Sequence, residues 1–338
     1  MAKAIVVDGG FGIDRLALVE RPGEEPGPGQ VRLAVRAVSL NRRDLLLVQG
    51  VYNPRQRLPV VPCSDAAGIV EAIGPGCTRV KTGDRVVVQS MPGWLAGPLT
   101  REALATALGG AGGDGTLRET MLAPEQALLP IPGGVSLEAA ATLPCAALTA
   151  WSAIVELGQV RQGETVLTQG TGGVSLFAVQ FARRAGARVI ATTSSEERAH
   201  RLRALGADTV LLRSDPDWPA KARDAAGDID LIVELGGGNS LATSLRLIRP
   251  GGTIALIGVL GGAEATVPLP LAVMRQVRLQ GVTSGSRASF AAMLRAVDAG
   301  GVDPVIGARF PLARSAEAFA LMADNGHVGK IVISPGEA

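Results

Sequence analysis

The chain has 338 residues, enough for two domains that each bury a hydrophobic core. Apolar residues make up 47% and charged residues 19%, a composition that is typical of globular proteins and argues against disorder. The net charge is only +2, the basic residues are scattered, and no apolar run approaches the ~20 residues that span a bilayer. We therefore expect a cytoplasmic protein with a small-molecule substrate and with neither nucleic-acid nor membrane partners.

The first ninety residues are predicted to be rich in β-strands. Proline- and glycine-rich clusters separate the runs "AKAIVV", "QVRLAVRAVSL", "AGIVEAIG" and "DRVVVQ". One segment, "NRRDLLLVQG", has a helical pattern with Asn41 or Asp44 able to cap its first turn. The glycine-rich segment 91–118 contains a short helical pattern, "LTREALATAL", and its length indicates a functional lid or lobe rather than a bare linker.

From about residue 146 to residue 286 the pattern changes to short apolar strands that alternate with amphipathic helices. The strands are "ETVLTQ", "ARVIATT", "DTVLL", "IDLIVEL", "GTIALIG" and "RLQGVT". This alternation predicts βαβ units and a parallel, doubly wound Rossmann sheet.

The first of these units carries a dinucleotide-binding pattern, "QGTGGVS". Gly170 would allow the tight turn, Thr171 follows it, and Gly172 would let the backbone approach a pyrophosphate at the start of the next helix. The third glycine of the usual fingerprint is replaced by Ser175. The strand before the turn and the helix after it favour a nucleotide site over a turn in which glycine serves packing alone.

The end of the second Rossmann strand is where NAD and NADP sites differ. An NAD site usually has a carboxylate there for the ribose hydroxyls, whereas this chain has Ser194, Ser195 and, one turn later, Arg198. Hydroxyl groups and a guanidinium suit a 2′-phosphate, so we predict NADPH rather than NADH. Two other interpretations stay open: Ser195 caps the following helix, and Glu196 serves the ribose.

The sequence predicts no metal site. Catalytic zinc needs three ligands from Cys, His, Asp or Glu, and neither His200 nor His327 has a Cys or His partner at ligand spacing. The three cysteines, Cys63, Cys77 and Cys145, are widely spaced and form no C-x-x-C pair, so a disulfide scaffold is not expected either. Cys63 is interpreted as a small buried apolar residue.

Several motifs together resemble the medium-chain dehydrogenase/reductase superfamily, and within it the zinc-independent, quinone-oxidoreductase-like branch. They are "SLNRRDLLLVQGVY", "PVVPCSDAAGIVEAIGPG", "KTGDRV", "AATLPCAALTAW", "GTGGVS" and "GKIVI". Zinc-dependent relatives carry a ligand Cys near Asn41 and a Gly-His-Glu triplet in place of Cys63, Ser64 and Asp65. The resemblance implies a GroES-like catalytic domain, 1–145 completed by 287–338, and a Rossmann dinucleotide-binding domain, 146–286.

The resemblance also implies a set of cofactor contacts and a homodimer joined through the edges of the Rossmann sheets. Its nicotinamide contacts correspond to Asn41 and Thr149, with Lys330 as a further one. Its pyrophosphate contacts correspond to Gly172, Gly173 and Val174. Its contacts on the 2′-phosphate side correspond to Ser195 and Arg198. Its contacts to the nicotinamide ribose correspond to Gly236, Gly258 and Val259.

The activity implied is NADPH-dependent hydride transfer to quinones or to activated C=C bonds of enones and enals. Tyr52, the only tyrosine, lies in "QGVY", which is similar to the segment that carries the proton-donating tyrosine of enoyl-thioester reductases. It is a candidate proton donor with Asn41 as an orienting group, although a packing role beside Pro54 stays open. Asp65 is interpreted as a turn-capping carboxylate.

Three alternatives stay open at this point. The chain could be an enoyl-thioester reductase, or an NAD(P)-dependent alcohol dehydrogenase or carbonyl reductase. A nucleotide-binding protein with a structural or regulatory role would carry the same glycine turn without turnover.

Overall fold

The computed structural model describes residues 1–336 and divides into two compact units. Unit 1 consists of Met1–Leu148 together with the chain from Gly285 onward, and unit 2 is Thr149–Ser284. The predicted domain limits, 145/146 and 286/287, fall within three residues of these divisions.

The strands, in chain order, are β1 (Ala2–Val7), β2 (Leu16–Arg21), β3 (Gln30–Ser39), β4 (Asp65–Ile73), β5 (Arg85–Val88), β6 (Thr120–Pro124), β7 (Leu128–Pro130), β8 (Thr165–Gln169), β9 (Arg188–Thr193), β10 (Thr209–Leu212), β11 (Ile229–Glu234), β12 (Ile248–Leu256), β13 (Arg278–Gly281), β14 (Ile306–Pro311) and β15 (Lys330–Ser334). The α-helices are α1 (Arg42–Val48), α2 (Arg101–Leu104), α3 (Leu137–Ala141), α4 (Leu148–Trp151), α5 (Gly173–Arg184), α6 (Glu196–Ala204), α7 (Trp218–Ala226), α8 (Leu241–Leu247), α9 (Leu269–Met274), α10 (Arg287–Asp298) and α11 (Ser315–Ala323).

Unit 1 is built on a sheet with the strand order β14-β15-β3-β4-β5-β7, in which β6 also pairs with β3. The last strand, β15, pairs antiparallel with β3, with Val332 opposite Ser39. This pairing brings the chain end that starts at Lys330 beside the start of α1, which follows directly after β3. The C-terminal segment therefore completes the β-rich unit that holds α1.

Unit 2 is a six-stranded sheet with the order β10-β9-β8-β11-β12-β13, in which all neighbouring strands are parallel. This is the order of a doubly wound dinucleotide-binding sheet, with the chain reversing its direction of travel between β8 and β11. Its core includes Leu167, Ile190, Ile232 and Ile254, all fully buried. The predicted Rossmann sheet and the β-rich partner fold are both confirmed.

Two segments differ in detail from the sequence prediction. The helix predicted in "LTREALATAL" is limited to the four residues of α2. The segment "LPCAALTAWSAIVE" contains two π-helical turns, Leu143–Ala147 and Ser152–Glu156, on either side of α4. Pro144 lacks an amide donor, which disfavours regular α-helical bonding in the first of these turns.

Across residues 1–336, no helix has both the length and the apolar character needed to cross a membrane.

Candidate active site

A buried polar cluster lies where β3 ends and α1 begins. Asn41 is the residue before α1, and only 7% of its surface is exposed. Its backbone N–H donates to Asp44 Oδ2 (2.8 Å), and the Asp44 N–H donates to the Asn41 carbonyl (2.9 Å). A carboxylate three residues into a helix commonly satisfies the amide of the capping residue in this way. Of the two residues considered for this cap, Asp44 therefore supplies the capping side chain, and its hydrogen bond fixes the Asn41 backbone.

The Lys330 ammonium group sits inside this cluster. Lys330 is the first residue of β15, and only 4% of its surface is exposed. Its Nζ donates to the Leu40 carbonyl (2.6 Å) and to Asn41 Oδ1 (2.5 Å). A buried cation needs such partners because water no longer solvates it.

Asp65 supplies a buried carboxyl group on another strand of the same cluster. It is the first residue of β4 and is fully buried. Its carboxyl oxygens accept hydrogen bonds from the Cys145 backbone N–H (3.3 Å) and from Ser64 Oγ (3.3 Å). Burial raises the pKa of Asp65 to about 6, against the lowering effects of the Lys330 ammonium and the Asn41 amide. The interpretation of Asp65 as a turn cap is wrong, because its partners come from a distant segment and from the preceding side chain.

Arg43 and Tyr52 lie on the neighbouring side of α1. The Arg43 guanidinium donates to Asp44 Oδ1 (3.1 Å) and to the Leu108 carbonyl (3.1 Å). Its Cζ lies 5.2 Å from the centre of the Tyr52 ring, a cation–π distance. Half of the Tyr52 surface (50%) is exposed, so its hydroxyl is not locked into the protein core. Leu108 belongs to the segment 91–118, which thus helps to shape this side of the site.

The glycine turn of unit 2 joins β8 to α5 as the sequence predicts. Gly170 has φ +81°, a conformation that favours glycine, and Ser175 Oγ closes the turn by donating to the Gln169 carbonyl (2.7 Å). A Cβ on Gly172 would meet no atom within 4 Å, so a ligand can approach this backbone closely. The first-turn amides of α5, which begins at Gly173 and Val174, have no acceptors within the helix. Such a turn suits a pyrophosphate.

The end of β9 shows one of the interactions considered from the sequence and one that was not. Ser195 Oγ accepts from the Arg198 backbone N–H (3.4 Å), so Ser195 does cap α6. Glu196 is exposed and pairs with Arg203 (3.3 Å) on the helix surface. Ser194 is exposed at the same strand end.

A buried carboxylate at the end of β11, which the sequence analysis missed, organises the carboxyl edge of the unit 2 sheet. Glu234 is fully buried, and one of its oxygens accepts from the amides of Gly236 (2.8 Å) and Gly237 (3.1 Å). The other accepts from Gln169 Nε2 (2.9 Å), at the end of β8. Both oxygens also accept from serine hydroxyls, those of Ser240 and Ser244. An acidic residue that ends an otherwise apolar strand, "IDLIVEL", was the available signal.

The predicted ribose-side residues lie next to this network. A Cβ on Gly258 would come within 2.4 Å of the Leu235 carbonyl, so the loops after β11 and β12 touch through their backbones. Val259 is exposed beside them. Thr149 lies on α4 and is buried, with 2% exposure.

The structure thus brings Asn41 and Lys330 into direct contact, and it places the Arg43 guanidinium of α1 over the ring of Tyr52, which follows that helix. In unit 2 it gathers the predicted glycine turn, the serines after β9 and the loops after β11 and β12 at the carboxyl ends of parallel strands. That edge is where doubly wound sheets bind their ligands. No group of three or more His, Cys, Asp or Glu side chains within residues 1–336 is placed to hold a metal ion.

Two family profiles match the chain, the first within unit 1 and the second mainly in unit 2. The alcohol dehydrogenase GroES-like domain matches residues 27–133, and the zinc-binding dehydrogenase domain matches residues 173–299. A zinc-type alcohol dehydrogenase-like protein of Schizosaccharomyces pombe is 35% identical, over 98% of both chains. The quinone oxidoreductase of Rattus norvegicus is 30% identical over 91% of this chain and 90% of its own. Acryloyl-coenzyme A reductase of Sulfurisphaera tokodaii is 29% identical over 98% of this chain and 100% of its own.

Solved structures give the same result. An NAD-dependent alcohol dehydrogenase superposes with a TM-score of 0.91 at 35% identity, covering 99% of this chain and 100% of the other. A cobalt- and zinc-bound alcohol dehydrogenase from Pyrobaculum aerophilum gives 0.84 at 31% identity, covering 99% of both. A 2-octenoyl-CoA carboxylase reductase in complex with NADP and 2-octenoyl-CoA gives 0.89 at 26% identity, covering 98% and 87%.

The chain belongs to the medium-chain dehydrogenase/reductase superfamily. The predicted class of activity, an NAD(P)H-dependent oxidoreductase, is confirmed at that level.

Proposed function

We propose that the protein is an NADPH-dependent, zinc-independent reductase of quinones and of C=C bonds conjugated to a carbonyl group. Unit 1 is the catalytic domain in this proposal, and unit 2 is the dinucleotide-binding domain. The observation that carries it is the Lys330 ammonium, which occupies the polar cluster and binds Asn41 Oδ1. Quinone oxidoreductase and acryloyl-coenzyme A reductase among the relatives support the substrate class.

The polar cluster of unit 1 does not suit a zinc ion. Zinc takes thiolates, imidazoles and carboxylates, and the groups near this cluster are two thiols, Cys63 and Cys145, and two carboxyl groups, Asp44 and Asp65. The Asp44 carboxylate is already held by the Asn41 amide and by Arg43, and burial raises the pKa of Cys63 well above its usual range. Burial and the Asp65 charge raise the pKa of Cys145 to about 12, so the thiol stays protonated. Asn41 Oδ1 already accepts from an ammonium, and a second cation beside it would be repelled.

The residues of unit 2 do suit a dinucleotide. In the proposal, Gly170, Thr171, Gly172, Gly173 and Val174 form the pyrophosphate turn. The predicted contacts of the 2′-phosphate are Ser194, Ser195 and Arg198. NADPH is favoured because Glu196, the acid considered for the ribose, is held by Arg203 on the helix surface. The predicted contacts of the nicotinamide ribose, Gly236, Gly258 and Val259, and of the nicotinamide, Asn41 and Thr149, keep those roles as proposals.

The bound nicotinamide would supply a hydride to the β-carbon of a conjugated substrate. The electron pair of the C=C bond then shifts to the bond between the α-carbon and the carbonyl carbon, and that of the C=O bond moves onto the oxygen. The resulting enolate must take up a proton at its α-carbon. We assign this proton donation to the Tyr52 hydroxyl, which is half exposed and rests against the Arg43 guanidinium. A quinone accepts a hydride and a proton to become a hydroquinone, and its oxygen can take that proton from water.

The test is NADPH consumption by the purified protein across four acceptors: but-3-en-2-one, 1,4-benzoquinone, crotonyl-coenzyme A and benzaldehyde. We expect the conjugated acceptors and the quinone to be reduced at least about tenfold faster than benzaldehyde, because a simple carbonyl needs stronger stabilisation of its oxygen. We also expect the activity to survive incubation with EDTA. Benzaldehyde as the best substrate, or loss of activity with EDTA and its return with zinc, would contradict the proposal.

A second candidate, reversible alcohol and carbonyl oxidoreduction, is favoured by the alcohol dehydrogenases among the structural relatives. It predicts NADP⁺ or NAD⁺ reduction with primary or secondary alcohols. The same assay run in the oxidative direction separates the two candidates.

We also propose that the protein forms a homodimer through the edge of the unit 2 sheet. The edge strand β13 is exposed at Leu279, and the adjacent α9 exposes Leu269, Val273 and Met274. An unpaired edge with apolar side chains tends to pair with another chain. Sedimentation velocity should show a dimer that Leu279→Lys weakens, whereas a monomeric native protein would contradict the proposal.

A further inference from the structure

The position of Lys330 differs from the role that the family resemblance implies for it. As a cofactor contact, its ammonium would be directed at a ligand. Instead, two of its three N–H groups are used within unit 1, on the Leu40 carbonyl (2.6 Å) and on Asn41 Oδ1 (2.5 Å). The side chain is only 4% exposed.

The Asn41 carboxamide lies between two opposite charges. The Lys330 ammonium binds its oxygen, and its amide group acts on the buried Asp65 carboxyl, whose pKa it lowers. With the amide turned over, the NH₂ group would face the ammonium and the oxygen would face the carboxylate, and both contacts would be repulsive. The two charges therefore select one orientation of the Asn41 side chain.

In this orientation the amide nitrogen faces the Asp65 carboxyl and still has donor capacity to spare. Asn41 Nδ2 is buried and makes no hydrogen bond of regular geometry within the protein. Buried donors rarely stay without an acceptor, and an amide nitrogen has two hydrogens to place. The Asp65 carboxyl can take one of these hydrogens, and the other is available to a ligand bound at Asn41.

We propose that Lys330 is a positioning residue that acts through Asn41: its ammonium holds the carboxamide so that the N–H donors of Asn41 are presented to the bound nicotinamide or substrate. This proposal rests on the role of Asn41 in the proposed function. Lys330 itself then makes no contact with cofactor or substrate.

A double-mutant cycle tests this inference, because residues that act in series are not additive. The variants are Lys330→Met, Asn41→Ala and the double variant, with kcat/KM for but-3-en-2-one and the Kd for NADPH as the two measurements. If Asn41→Ala lowers kcat/KM or weakens NADPH binding, we expect Lys330→Met to impair the same property by about tenfold. This is the effect of losing one charge-assisted hydrogen bond. In the Asn41→Ala background the same change should cost less than about twofold.

Additive losses would overturn the proposal and restore Lys330 as a direct contact. An unchanged protein after Lys330→Met, with a clear effect of Asn41→Ala, would overturn it as well. If Lys330→Met does not fold, the cycle is run with Lys330→Gln, which keeps a donor to Asn41 Oδ1 but loses the charge. Lys81→Met, at an exposed lysine of the same unit, is the matched control for loss of one positive charge.

The outcome is separable from that of the proposed function. If Asn41→Ala changes neither measurement, the positioning role falls together with that of Asn41. The reductase assignment is then still judged by the acceptor comparison, which does not depend on either residue.

Discussion

The candidate residues of the two units differ in kind, and we call those of unit 2 the backbone half and those of unit 1 the side-chain half. The backbone half consists of a glycine turn, helix amides and two loops that touch through Gly258 and Leu235. The side-chain half consists of buried polar and charged side chains: Asn41 just before α1, Asp65 on β4 and Lys330 on β15. Ligand binding by backbone groups tolerates little added side-chain volume and does not depend on pH. Ligand binding by side chains depends on their charge and on the residues that they contact. Four variants test this contrast, beginning with the one expected to have the largest effect.

Glu234→Leu should cause the largest loss, because Glu234 is the one buried charge on which the backbone half depends. The substitution leaves three donors without their acceptor, namely the backbone amides of Gly236 and Gly237 and the side-chain amide of Gln169, all buried or nearly so. Each unsatisfied donor costs about 1–3 kcal/mol, so we expect the free energy of unfolding to fall by at least about 3 kcal/mol. Urea unfolding followed by circular dichroism measures this. Glu197→Leu at an exposed site is the control, and equal stability of the two variants would show that the network is not stabilising.

Tyr52→Phe tests unit 1 at its half-exposed candidate proton donor. The ring and its contact with Arg43 are kept, so only the hydroxyl is lost. A positioned general acid contributes about 10²–10⁴-fold, so kcat with but-3-en-2-one should fall by at least about 100-fold with little change in NADPH affinity. Reduction of 1,4-benzoquinone should be affected much less, since water can protonate its oxygen. Native turnover of the enone would make Tyr52 a packing residue.

Asp65→Asn tests whether the side-chain half makes the stability of the protein depend on pH. Burial raises the pKa of Asp65 from its usual 3.8 to about 6 in the folded protein. Between these values the folded protein keeps a proton that the unfolded chain has released, so this group makes the folded state less stable as the pH rises from about 4 to about 6. The contribution is about 3 kcal/mol at 1.36 kcal/mol per pKa unit, and it is constant above that range.

The measurement is the free energy of unfolding of native protein and Asp65→Asn at several pH values from 4 to 7. The native protein should lose stability relative to the variant as the pH rises through this window. Asp44 is also buried with a raised pKa, but it is present in both proteins and cancels in the comparison. Parallel curves would mean that Asp65 titrates normally. Asp8→Asn, at an exposed aspartate, is the control.

Arg198→Ala should have the smallest effect, because Arg198 would touch only the edge of the cofactor. Loss of one charge-assisted contact should weaken NADPH by about tenfold or more and leave NADH nearly unchanged. Fluorescence titration with both cofactors measures this. Equal weakening of both, or a native preference for NADH, would contradict the assignment of the 2′-phosphate side. Ser195 is a poorer choice of variant because its hydroxyl also caps α6.

The backbone half could be predicted from the sequence because its signals are local. Strand, glycine turn and helix follow one another within about twenty residues, and the positive φ at Gly170 is a property that one residue type satisfies best. Parallel strands then place all their carboxyl ends at one edge, so the residues after β9, β11 and β12 gather there without further information. Glu234 was missed because an acid at a strand end is usually solvated, and only the fold shows that two serines and Gln169 enclose it.

The side-chain half was determined only in part by the sequence. The sequence by itself placed Asn41 and Asp44 at the start of a helix, since capping depends on residues three positions apart. Only the tertiary structure decided that Lys330, 289 positions later, binds Asn41, because that contact exists only through the pairing of β15 with β3. The same holds for Asp65. The local sequence presents it as a turn residue, but in the fold it is a buried titratable group beside Lys330 and Cys145. Charge and burial act through space, so partners distant in the chain set these properties, whereas helix caps and glycine turns are set by their neighbours.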